Sequence, residues 1–144
     1  VQLHENIFFV WLTKCNKDDY EASIARNPGR TFLFVGQFCG KPVTVMFDCG
    51  ATDSYISNET YQSLTRKPTR QLAEPLTVVT ATGDTTQVTH QIRQPIQIGK
   101  FIASIAAKIL HETLPHVDVI CGMDFLSAHN AHLSCETLDC TIGP

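Results

Sequence analysis

The sequence lacks most of the features that would assign it to a common class. No apolar run approaches the roughly 20 residues needed to cross a bilayer. The longest near the start is Ile7 to Leu12, and its surroundings lack the layout of a signal peptide. No membrane partner is therefore expected. The net charge is −3 and the Lys and Arg residues are scattered, so there is no concentrated basic face and no nucleic-acid partner is expected. No phosphate loop, dinucleotide fingerprint, nucleophile elbow or Ser-His-Asp order is present. Internal repeats and low-complexity tracts are absent too. Charged residues make up only 17% and hydrophobic ones 43%, which is too apolar for a disordered chain. With 144 residues there is room for one domain and not two.

What is present reads mostly as strand. Ile7 to Leu12 is strand-like, and a short helix is expected from Asp18 to Ala25, ended by Asn27-Pro28-Gly29. Residues 1–29 are read as an extension or linker, and residues 30–144 as the main domain. From Arg30 the apolar residues recur with period two. Phe32, Phe34 and Phe38 alternate up to a turn at Cys39-Gly40-Lys41. Val43, Val45 and Phe47 then alternate into Asp48. Ser57 to Leu64 suits a helix capped by Ser57 or Asn58. Thr77–Thr80 and Thr85–His90 flank Ala81-Thr82-Gly83-Asp84 as a second hairpin. Further strands are expected over Ile92–Ile98, Phe101–Leu110 and Val117–Cys121. A short helix follows over Asp124–His129, then a last strand or hairpin over Leu133–Ile142. The expected fold is all-β with one or two short helices, a small closed barrel or folded-over sheet.

The sharpest feature is Val45-Met46-Phe47-Asp48-Cys49-Gly50-Ala51-Thr52. An acid directly after an apolar strand is costly to bury unless it is paired or hydrogen-bonded. The glycine lets the backbone fold tightly enough for nearby amides to reach the carboxylate. Taken alone, the same residues more often form an ordinary strand-end turn, where Asp-x-Gly is common. A second stretch, Val117-Asp118-Val119-Ile120-Cys121-Gly122-Met123-Asp124-Phe125-Leu126, places two large apolar residues and a glycine before a helix. The hairpin around Gly83 lies between the two.

This order resembles the retropepsin family of aspartic proteases, and within it the proteases encoded in polyproteins of gypsy-type long-terminal-repeat retrotransposons. The likeness is carried by Phe47 to Ser57 and Ile120 to Asn130, and it extends from about Thr31 to Ile142. It implies a retropepsin-like barrel acting as a symmetric homodimer. Asp48 would be the catalytic residue, in an active-site loop of Cys49, Gly50, Ala51 and Thr52. Gly50, Asp53 and Ile120 would contact substrate, with the flap residues Ala81, Thr82, Gly83 and Asp84. Gly122 would support the loop, although a glycine here also fits a plain helix start.

Such enzymes need two carboxylates sharing one proton. The chain has eight Asp but one Asp-x-Gly, so the second carboxylate is expected from an identical subunit. The resemblance implies an endopeptidase whose substrate is a polypeptide, its own polyprotein. It implies an intracellular, cytoplasmic setting, of which retroelement particles are one form. No metal or other cofactor is expected.

Two positions depart from the family's pattern. Cys49 stands where Thr or Ser is usual, so the bond across the subunits is weaker. If two Cys49 thiols meet at the dimer axis, oxidation would join them, and non-reducing electrophoresis against Cys49→Ser tests that. Thr52 stands where many relatives have a carboxylate, which Asp53 replaces in part. Two rival readings remain. One is a retropepsin fold that binds peptides or dimerises without cutting. The other is a zinc-bound domain using His129, His132, Cys135 and Cys140, whose spacings a zinc site can use although the order is not that of a zinc knuckle. The six cysteines also allow a disulfide framework, although a chain of this length can build a core without one.

Overall fold

A computed structural model of the chain describes residues 2–3, 32–65, 68–79, 83–111, 116–136 and 139–143. The strand-like piece at Ile7–Leu12, the helix expected at 18–25, the turn at Asn27-Pro28-Gly29 and the flap residues Ala81 and Thr82 lie outside the described residues.

The first hairpin follows the alternation read from sequence. β2 (Phe32–Phe38) pairs antiparallel with β3 (Lys41–Phe47) in an unbroken register, Phe34 opposite Val45 and Phe32 opposite Phe47. Cys39 and Gly40 both have positive φ, 51° and 74°, as a tight two-residue hairpin turn requires. After β3 the chain makes a loop and enters β4 (Tyr55–Ser57), then a short helix, α1 (Asn58–Ser63). Ser57 caps α1, its hydroxyl accepting from the Thr60 amide.

β5 (Thr69–Val79) and β6 (Thr85–Ile98) form a long hairpin. Its first arm starts earlier than the sequence implied. Thr69 to Pro75 is mostly exposed and so carries no period-two apolar signal. The ladder is shifted between Gln71 and Leu76, where Pro75 cannot donate a bond. Edge strands accommodate proline at such irregularities. β6 absorbs two stretches that sequence separates, Thr85–His90 and Ile92–Ile98. β7 (Phe101–Leu110) returns along β6, and β8 (Val119–Cys121) leads into α2 (Met123–Ala128).

β3, β8, β4, β7 and β6 follow one another across the sheet, and β6 pairs back onto β2. The six strands thereby close a barrel with β5 appended to β6. The all-β barrel expected from sequence is what forms, with two short helices among the described residues. Phe34, Phe38, Val45, Ile56, Ile92, Ile96, Ile105 and Val119 fill it, each at most 2% exposed. The tail folds as the hairpin β9 (His132–Ser134) and β10 (Asp139–Thr141), and β1 (Gln2–Leu3) pairs with β10. Leu3 falls within the stretch read as an extension, yet it is buried in the same core.

Candidate active site

The order of the barrel strands builds the site. β3 and β4 are consecutive, but β8 lies between them, parallel to β3 and antiparallel to β4. The loop joining β3 to β4 must therefore pass over the end of β8, where α2 begins. The Asp48 amide donates to the Cys121 carbonyl (3.0 Å), adding one rung beyond the Phe47–Cys121 pair. Phe47 is anchored inside by Phe34 (ring centroids 4.8 Å apart) and Phe125 of α2 (6.4 Å). Apolar packing thus fixes the backbone on one side of Asp48 while its side chain stays half-buried.

The loop then turns tightly. The Ala51 amide donates to the Asp48 carbonyl (3.2 Å), and the Gly50 amide donates to the Asp48 carboxylate at Oδ1 (2.8 Å). Among the described residues, no other group donates to that carboxylate. Cys49, Gly50 and Thr52 are exposed at the turn. The amide aimed at the acid is what the Asp-x-Gly spacing led us to expect.

α2 clamps the loop from beneath. The Met123 amide donates to the Ala51 carbonyl (2.8 Å) and the Asp124 amide to the Thr52 carbonyl (3.2 Å). Between them Ser54 is fully buried. Its hydroxyl donates to Asp124 Oδ1 (2.7 Å) and accepts from the Gly122 amide (3.0 Å). That pairing satisfies a buried N–H that would otherwise be orphaned. Gly122 is packed so close that an added Cβ would meet the Ala51 carbonyl oxygen at 2.8 Å and fall on the Asp53 carbonyl.

The outer face beside the loop is apolar. Tyr55, Val88, Leu110 and Ile120 form a cluster that also packs Met46, Ala51, Leu72, Leu76 and Val78. It joins the loop, β8 and the underside of the β5–β6 hairpin in one surface. Gly83 and Asp84 sit exposed at the far end of that hairpin. Asp53 is ion-paired with Lys108 (3.2 Å) and accepts from the Thr52 hydroxyl (3.2 Å). Burial, then the nearby Asp53 and Asp124 carboxylates, push the Tyr55 hydroxyl pKa up, so Tyr55 stays protonated.

Asp48, Cys49, Gly50, Ala51, Thr52, Asp53, Ile120 and Gly122 are thus brought together. Sequence reasoning missed Ser54 and Lys108. A serine in a polar loop gives no signal of burial, and the meaning of Lys108 depends on strand register. Among the described residues, no three His, Cys, Asp or Glu side chains gather as a metal-holding group. His129 packs against Phe101 and Phe125, Cys135 is exposed and Cys140 buried. No helix among the described residues is long and apolar enough to cross a membrane.

A family model described as retroviral aspartyl protease matches residues 22–144. The match begins inside the stretch read as an extension. No curated protein matches the chain.

Proposed function

The chain belongs to the retroviral aspartyl protease family, a family of peptide-bond hydrolases, and from this we propose that it is an endopeptidase in which two identical chains each supply Asp48. The observation that carries the reading is the placement of Asp48. It ends a buried strand, turns to the surface on a clamped loop, and its carboxylate takes a bond only from its own loop's amide among the described residues. One such loop is half a site. A second copy related by a two-fold axis brings a second carboxylate to the first.

Two carboxylates at close range cannot both ionise, so the pair holds one proton. The ionised partner removes a proton from water as that water attacks the scissile carbonyl carbon. The protonated partner donates to the carbonyl oxygen and stabilises the charge developing there. The apolar cluster under the β5–β6 hairpin gives an extended peptide a dry surface, and the hairpin covers it as a flap. The substrate we propose is the junctions of a retroelement polyprotein that contains this chain, in the cytoplasm or in particles assembled there.

Incubation with a mixed peptide library over a range of protein concentrations tests the reading. Cleavage per mole of chain is expected to rise with concentration until the dimer saturates. Binding of peptides without cleavage at any concentration would instead mark a non-catalytic peptide-binding module.

A further inference from the structure

Strand pairing places one charged residue in an apolar row. Met46, Ile120, Tyr55 and Lys108 stand directly opposite one another across β3, β8, β4 and β7. Directly opposed residues share a face of the sheet. The intervening positions, Val45, Val119, Ile56 and Ile109, fill the barrel. The row therefore lies on the outer face, where Ile120 and Tyr55 pack with Ala51, Leu76 and Val78 beside the Asp48 loop. Lys108 is only 15% exposed, and it reaches Asp53, 31% exposed, at 3.2 Å. A long aliphatic stem thus lies along apolar surface with its ammonium turned to the loop that carries Asp48.

We propose that the Asp53–Lys108 pair is a specificity determinant of the peptide groove, selecting a substrate asparagine or glutamine at a position away from the scissile bond. The inference rests on the reading of the groove as a peptide site. An apolar side chain laid over the pair strips water from both charges and returns no hydrogen bond. A glutamate competes with Asp53 for Lys108 and brings two carboxylates together, and a substrate lysine meets the converse conflict. A carboxamide donates to Asp53 and accepts from Lys108, so the pair stays intact while it is covered. In a two-fold assembly the preference repeats on both sides of the cut.

The test uses peptides built around a non-hydrolysable hydroxyethylene unit, with apolar residues flanking it. Every other position is set in turn to Leu, Gln, Glu or Lys. Kd is measured on the wild type, Lys108→Leu and Asp53→Asn, and cleavage is measured on the matching amide peptides. One position is expected to favour Gln over Leu by about tenfold or more. Lys108→Leu should invert that ranking. Asp53→Asn, which keeps the shape of the side chain and frees Lys108, should move it toward Glu. An unchanged ranking in the folded variants, or Glu or Lys leading in the wild type at the sensitive position, overturns the inference. Ranked binding with no cleavage would sink the protease reading and leave this one standing. Cleavage with an unmoved ranking would do the reverse. Folded wild type that binds none of the peptides would remove both.

Discussion

Asp48→Asn is expected to lower peptide cleavage by at least about 10³-fold while leaving the chain folded. The substitution keeps the shape and one carbonyl-type oxygen, so the Gly50 amide, 2.8 Å from Oδ1, retains its acceptor. The packing beneath it, from Phe47 to Phe34 and Phe125, is untouched. In the proposed two-chain site, what disappears is the shared proton. A pair of amides can neither remove a proton from water nor protonate the carbonyl oxygen. Rates on one good peptide, together with thermal melting curves, check both halves of the expectation. A folded variant that cuts at the wild-type rate would show that Asp48 is not the catalytic acid.

Gly122→Ala is expected to cost about 3 kcal/mol or more and to abolish activity. The new methyl would meet the backbone of two loop residues, with the Ala51 oxygen at 2.8 Å and the Asp53 carbonyl carbon at 2.7 Å. Neither is the free end of a side chain, so neither can swing aside. Relief requires lifting the loop from α2. That breaks the bonds from Met123 and Asp124 to the loop carbonyls and from Gly122 to Ser54. Gly50→Ala is the control in the same denaturation series. A Cβ there would meet only the Asp48 carboxylate, at 3.2 Å, among the described residues, and stability should change far less. Equal stability losses in the two variants would contradict this account of Gly122.

The legible parts of the fold were those where one face is buried. Phe32 to Phe47 alternates because β2 and β3 each turn one side to the core, and that alternation pointed straight at Asp48. The glycine of Ile120-Cys121-Gly122 was legible through its motif, but its reason was not. Only the insertion of β8 between β3 and β4 brings the Asp53 and Ala51 carbonyls over it. The first half of β5 was hidden because an exposed, proline-bearing edge has no apolar period to read. Ser54 and Lys108 were hidden for a related reason. Their partners are remote in sequence, Asp124 for one and Asp53 for the other, and only strand order and register bring each pair together.

The central claim is that each chain holds half of one catalytic pair. Mixing wild type with Asp48→Asn at a fixed total concentration, well above the dimer dissociation constant, tests it most directly. Once the chains have exchanged, only dimers with two intact Asp48 residues can cut. Activity should follow the square of the wild-type fraction, falling to about a quarter in an equal mixture. A fall to one half, linear in the wild-type fraction, would mean that each chain carries a complete site and would contradict the account.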